Sequence, residues 1–195
     1  CPLPVTVGSS QPFDDTKGHW AESYITELYY AGTLQGSEKN GKLYYRPDAS
    51  MTRQEFIVAM MRYLGTDLSA YASVQLPFDD SGSIASWAKS AMRAAYQLGY
   101  LTGSKTNGKL LAKPGSTISR QEAMTILSRT KDFADADLNV LSAFSDSGKI
   151  ADWAKTALAQ MAQQKIISGS KGKLNPTGKV TRAEVAKMLY MLSEL

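Results

Sequence analysis

The most regular feature of the chain is an alternation of apolar and polar positions that returns three times. Phe56, Ala59, Met60 and Tyr63 fall at i, i+3, i+4 and i+7, and Val185, Met188, Leu189 and Leu192 repeat that spacing. Ala123, Ile126, Leu127 and Thr130 repeat it again with one polar member. Each set describes one face of a helix. An earlier stripe precedes the first two: Trp20, Tyr24, Leu28 and Ala31, then Trp87, Ala91, Ala95 and Leu98. The pattern predicts helices in pairs. A single pair cannot bury its own stripes, whereas three similar pairs can bury theirs against one another.

The later helix of each pair opens on a shared motif. The three copies are Met51-Thr52-Arg53-Gln54-Glu55, Ile118-Ser119-Arg120-Gln121-Glu122 and Val180-Thr181-Arg182-Ala183-Glu184. A hydroxyl residue followed three positions on by Glu is a capping box. The side-chain oxygen accepts from a free backbone N–H, and the Glu is expected to reach back to the N–H of the cap. The box accounts for the hydroxyl and the Glu. It does not account for Arg53, Arg120 and Arg182, where a cation opposes the helix dipole at a cost of roughly a few tenths of a kcal/mol. A charge that is locally unfavourable and recurs in register points to a task.

Other landmarks keep the same order. Phe13-Asp14-Asp15, Phe78-Asp79-Asp80 and Phe144-Ser145-Asp146 open the units, and Trp20, Trp87 and Trp153 follow, each before an alanine. An apolar-x-Gly-Ser element comes next, ending in Gly36-Ser37, Gly103-Ser104 and Gly169-Ser170. Gly-Lys-Leu turns start at Gly41, Gly108 and Gly172, and Pro47, Pro114 and Pro176 precede the boxes. The chain divides into a linker, 1–12, and three helix–loop–helix units, 13–77, 78–143 and 144–195. The third is shortened between Ser170 and Pro176. The expected fold is all-α, with three helical hairpins packed about a pseudo-threefold axis.

The ordered set Phe-Asp-Asp, Trp-Ala, Leu-x-Gly-Ser, Pro and Thr-Arg-x-Glu, three times in tandem, resembles the S-layer homology domain family over residues 13 to 195. The resemblance implies a three-pronged helical spindle that holds a bacterial surface protein non-covalently at the cell wall. It implies a ligand: an anionic secondary cell wall polymer attached to peptidoglycan, carrying a pyruvate ketal on N-acetylmannosamine and bound in grooves between repeats. Secretion to the cell surface follows from the same likeness. The polymer-binding role falls on Arg53, Arg120 and Arg182. Their chemistry agrees, because a guanidinium meets a carboxylate through two parallel hydrogen bonds and a lysine cannot. The plainer alternative, a surface arginine paired with the C-terminal carbonyls of the previous helix, is weakened by the threefold register. Two or three weak sites on one repetitive polymer would gain from effective concentration.

For the remaining candidates two readings stay open. Trp20, Trp87 and Trp153 serve as core anchors or as platforms for the apolar face of a sugar. Gly36, Gly103 and Gly169 cap the preceding helix or let a ligand approach bare backbone. Ser37, Ser104 and Ser170 would then offer donors to the glycan. Lys42, Lys109 and Lys173 are solvated turn residues or a second cation. Asp14-Asp15 and Asp79-Asp80 read as N-terminal caps of the Trp helices. Ala112 stands where the first unit has Tyr45, so an aromatic groove wall is expected to be missing from the second unit. Gln54 and Gln121, in place of Ala183, are expected to change little.

Composition narrows the field. The net charge is +4 and the pI about 9.0, yet no run of Lys and Arg forms a nucleic-acid arm. No apolar stretch approaches the roughly 18 residues of a membrane span. The charge is uneven: unit one has six Lys plus Arg against eight Asp plus Glu, unit two eight against six, unit three eight against four. The later units are therefore the better anion binders. The single cysteine, Cys1, excludes an internal disulfide framework. It reads as the boundary of a piece cut from a longer chain rather than a lipid-modified terminus. His19 has no partner for zinc, and Asp132, Asp135 and Asp137 lack the glycine and closing glutamate of a calcium loop. With no Ser/His/Asp or Cys/His set and no isolated carboxylate pair, no catalysis and no cofactor are expected. An α-helical protein-docking module is the alternative function.

Overall fold

The computed structural model describes residues 10–195. Cys1 and most of the expected linker lie outside the described residues. The linker's last residues are tied to the first helix: Thr26 Oγ1 donates to Gln11 Oε1 at 2.7 Å, and the Tyr30 hydroxyl donates to the carbonyl of Ser10 at 2.8 Å.

Each repeat contributes two helices with a small structure between them. The first holds α1 (Glu22–Tyr30), β1 (Ser37–Lys39), β2 (Lys42–Tyr44) and α2 (Arg53–Tyr63). The second holds α3 (Lys89–Gln97), β3 (Ser104–Thr106), β4 (Lys109–Leu111) and α4 (Arg120–Ser128). The third holds α5 (Lys155–Gln163) and α6 (Arg182–Ser193). The body is mostly helical, as the pattern predicts, with two antiparallel β-hairpins added. The hairpins turn on Asn40-Gly41 and Asn107-Gly108, with φ of 53° and 73°, then 50° and 76°. Two successive residues at positive φ are what a two-residue hairpin turn demands, and Asn-Gly meets that demand. In the third repeat Lys171 takes φ 50° before Gly172. The pairing there shrinks to the single bridge Ser170↔Lys173.

The helices pair across repeats. α2 packs on α3, α4 on α5, and α6 returns to α1. Between them the box motifs meet edge to edge through the bridges Thr52↔Thr117, Ser119↔Lys179 and Ser50↔Thr181. The apolar residue that opens each motif, Met51, Ile118 or Val180, is buried at this junction. The later stripes face the core as read: Phe56, Met60, Leu127, Val185 and Leu189 are fully buried. The earlier stripes hold in part: Leu28, Ala91 and Ala95 are buried as expected, whereas Trp20, Trp87 and Leu98 are exposed. Ile25 and Leu28 are the buried residues of α1, and Ala91, Met92, Ala94 and Ala95 those of α3. The tryptophans stand outside, so they are not core anchors.

The aspartates are not helix caps. Asp15 accepts from the N–H groups of Tyr45 and Arg46 at 2.9 and 2.7 Å. Asp80 accepts from Ala112 and Lys113, and Asp146 from Leu174 and Asn175, at 2.7 to 2.9 Å. Each carboxylate clamps the exit of its unit's turn, where Arg46, Lys113 and Asn175 sit at positive φ. At Asp146 desolvation opposes the charge. The two N–H donors and the charge of Lys149 outweigh it, so the carboxyl is held below its ordinary value. The folded pKa is then lower than the unfolded one. Its contribution to stability is complete above about pH 4 and is lost as the pH falls through the folded value. Asp146→Asn is expected to flatten the acid limb of a urea-denaturation stability profile below about pH 4; an unchanged limb would show that this clamp is idle.

Candidate functional site

The starts of α2, α4 and α6 are completed by neighbouring repeats. Thr52, Ser119 and Thr181 each accept from the N–H of Glu55, Glu122 or Glu184 at 3.2 to 3.3 Å, as a capping box requires. The N–H groups of Arg53 and Gln54 donate to the carbonyls of Ser116 and Pro114. Those of Arg120 and Gln121 donate to Gly178 and Pro176, and those of Arg182 and Ala183 to Ala49 and Pro47. The proline loop of one repeat therefore caps the helix of another, and Arg53 and Arg182 are each laid across a neighbouring turn exit. Arg53 Nε donates to the carbonyl of Ala112 at 2.9 Å, and Arg182 Nε to that of Tyr45 at 2.7 Å.

Glu122 reaches back to its cap residue, accepting from Ser119 Oγ at 2.9 Å, but the glutamates of the second and third boxes also take a cation from another repeat. Glu122 meets Arg53 Nη1, and Glu184 meets Arg120 Nη2, both as ion pairs of mostly buried side chains. The second carboxylate oxygen of Glu184 is buried without a partner. Burial lowers the pKa of Arg53, with Asp80 opposing and Arg129 adding to the effect. Arg182 differs. It has no ion pair among the described residues. Its guanidinium lies over the Tyr45 ring, 4.5 Å from the centroid, and its Nη2 donates to the carbonyl of Gln35 at 3.1 Å.

Tyr45 is fixed for this role. It is fully buried, its backbone N–H is held by Asp15, and its hydroxyl donates to the carbonyl of Arg182 at 3.0 Å. Burial pushes its phenol up to about 12, with the charge of Arg182 pulling the other way. Arg182 and Tyr45 line an open cleft of about 310 Å³, walled by Glu55 and Arg62 of α2 and by Trp87 of the second repeat. The indole of Trp87 is 58% exposed. A cation, an aromatic face and a carboxylate thus share one recess fed by three repeats. Such a set suits a sugar bearing an acid group: stacking for the ring, a fork for the carboxylate, hydrogen bonds for hydroxyls.

The family model described as the S-layer homology domain matches residues 12–57, 77–124 and 143–186. The chain belongs to the S-layer homology domain family. As a member it is a cell-wall anchoring module. It is 30% identical over 187 residues to an amylopullulanase of Thermoanaerobacterium thermosulfurigenes, covering 93% of this chain and 9% of that protein. It is 30% identical over 190 residues to an exoglucanase of Acetivibrio thermocellus, covering 95% and 16%. A surface-layer 125 kDa protein of Lysinibacillus sphaericus is 32% identical over 129 residues, covering 64% and 10%. The chain therefore spans a small part of these relatives.

The other candidates in this S-layer homology module fall into place around the cleft or away from it. Trp20 and Trp153 are 56% and 59% exposed, in positions equivalent to Trp87. Gly36, Gly103 and Gly169 do not cap helices. Gly32 and Gly99, and Lys165 in the third repeat, take the positive φ that ends each first helix. Nor is their bare backbone kept free for a ligand. A Cβ at Gly36 would meet the ring of Phe13 and come within 2.5 Å of the Tyr44 carbonyl, and Gly103 faces Phe78 in the same way. At Gly169 the obstacles are the Lys173 carbonyl and Phe144. Ser37, Ser104 and Ser170 are exposed and begin the paired segments. Ser37 and Lys42 are not among the cleft walls. Lys42 instead pairs with Asp14 at 2.8 Å, which raises its pKa. Lys109 and Lys173 are exposed on their turns.

The glutamines matter more than expected. Gln54 Oε1 accepts from the N–H of Ala85, and Gln121 Oε1 from that of Ala151, both at 3.0 Å. Each thus positions the turn that carries Trp87 or Trp153. Arg62 was not singled out by the motif reading. The available signal is its register: it lies as far beyond Arg53 as Arg129 lies beyond Arg120. His19 Nε2 lies 3.1 Å from Asp48. No group of three or more metal-ligating side chains, and no helix long and apolar enough to cross a membrane, occurs among the described residues.

Proposed function

We propose that the chain anchors a larger secreted surface protein to the bacterial wall by binding a pyruvylated secondary cell wall polymer, without catalysis. The helix pairing across repeats supports a three-pronged, pseudo-threefold arrangement. In it, each of the three units contributes to clefts completed by its neighbours. The observation that carries the ligand reading is Arg182, without an ion pair among the described residues and lying over Tyr45 in a cleft walled by Trp87. The pyruvate ketal supplies a fixed carboxylate for the guanidinium, and the sugar ring supplies an apolar face for the indole. The relatives in polysaccharide-degrading enzymes and a surface-layer protein fit a portable attachment module whose working parts lie elsewhere.

The test is co-sedimentation of the purified chain with native wall sacculi. Binding is expected to native material and to disappear after mild acid removal of the pyruvate ketals. Equal sedimentation with both preparations would refute the acid-bearing ligand.

A further inference from the structure

The three motif arginines are equivalent in sequence and unequal in surroundings. So are the three glutamates that follow them. In the second and third repeats Glu122 and Glu184 hold the arginine of the preceding repeat. In the first, Glu55 and Arg182 wall the same cleft and form no ion pair. The residue at the turn exit differs between the repeats. Arg182 crosses Tyr45, whose ring takes the cation on its face. Arg53 crosses Ala112, which has no face to offer. Leu174 takes that position in the third repeat by sequence register, and Arg120 there pairs with Glu184. A guanidinium without an aromatic seat turns to the nearest carboxylate.

Building on the glycan reading of the Arg182 cleft, we propose that Tyr45 is a positioning residue that keeps Arg182 off Glu55. The chain then has one open acid-binding cleft. Glu122 and Glu184 act as built-in competitors that occupy Arg53 and Arg120 in place of an incoming carboxylate. A glycan acid entering either of those clefts must displace a carboxylate already attached to the same fold, whose effective concentration no free ligand matches. At Arg182 it displaces none. The basic third repeat thus delivers its free arginine to the acidic first repeat. One chain end of polymer is held per module.

The test is calorimetric titration with pyruvate-ketal N-acetylmannosamine as its methyl glycoside, paired with NMR of the three tryptophan indole N–H signals. The wild-type chain is expected to bind one equivalent and to shift the Trp87 signal, leaving Trp20 and Trp153 in place. Glu122→Gln keeps the side-chain shape, removes the competitor, and is expected to add a second equivalent that moves Trp153. Tyr45→Leu copies the third repeat and is expected to weaken binding about tenfold or more, as one lost charge-assisted contact would. Tyr45→Phe keeps the ring and is expected to restore affinity, which a merely structural loss of the hydroxyl bond would not permit. Two or three equivalents on the wild type, or an unchanged stoichiometry in Glu122→Gln, overturns the inference and leaves the glycan reading standing. Absence of binding by every variant overturns both.

Discussion

Arg182→Lys is expected to weaken binding of a pyruvylated glycan by about a hundredfold, the size expected when a charge-assisted fork is lost in a partly desolvated site. Charge is retained in this variant, so the loss isolates geometry. Arg182 spends its Nε on the Tyr45 carbonyl and one Nη2 contact on Gln35, which fixes the plane of the guanidinium over the ring. Its terminal edge then faces the cleft in one orientation. An ammonium has no plane to fix and cannot lie flat on Tyr45 while reaching both carbonyls. Arg53→Lys and Arg120→Lys should leave glycan affinity within about twofold, because each group is already paired with Glu122 or Glu184. They should instead cost roughly 1–2 kcal/mol of stability, since Glu122 and Glu184 lose a fitted partner in a mostly buried position. Glycan titration beside urea denaturation separates the two effects. A large affinity loss in Arg53→Lys would place the site elsewhere.

Gly36→Ala is expected to cost about 3 kcal/mol of stability. The added Cβ would run into the Phe13 ring and the backbone carbonyl of Tyr44. The ring is fully buried between Tyr29 and Tyr45, with centroids 5.0 and 5.4 Å away, so it has nowhere to retreat. The carbonyl belongs to the β1–β2 hairpin and cannot move without breaking the Ser37↔Tyr44 pairing. Gly82→Ala is the control. Nothing lies within 4 Å of its would-be Cβ, and its stability is expected to change by less than about 0.5 kcal/mol. Because Phe13 also packs on Tyr45, Gly36→Ala should loosen the seat of Arg182 and weaken glycan binding as well. Thermal and urea denaturation of the two variants measures the contrast; equal midpoints would remove the explanation offered for this glycine.

Local rules read well wherever the interaction is local. The later helix stripes, the box hydroxyls and the helix starts follow from residues within a turn of one another, and the structure places them as the spacing implies. The hairpins were legible too, in Asn40-Gly41 and Asn107-Gly108. The flanking Gly-Lys-Leu signal marks the turn, and the three-residue strands either side are too short to show a period of their own. The earlier stripes were misjudged at Trp20 and Trp87, which look like core residues. Both rings precede the helices, on the turns that lead into α1 and α3, so they do not share the buried face of Ile25 and Leu28 or of Ala91 and Ala95.

The partners of charged groups were the least legible part. A carboxylate three residues from a cap has a local acceptor role to fill, and sequence spacing cannot tell whether a guanidinium from another repeat arrives first. Glu122 and Glu184 take the distant cation because it is buried beside them and would otherwise be costly to leave unpaired. In the same way Asp15, Asp80 and Asp146 look like helix caps in one dimension and are turn clamps in three. Gln54 and Gln121 look like surface residues until Ala85 and Ala151 are brought against them.

The amino-acid sequence by itself determined the threefold repetition, the family, the helix pairs and the presence of one arginine per repeat in register. Those properties depend on short-range spacing, which every copy preserves. Only the tertiary structure decided which arginine stays open. Arg182 lies over Tyr45, whereas Arg53 reaches Ala112 and pairs with Glu122. Residues more than fifty positions apart meet there only after the last helix has closed onto the first.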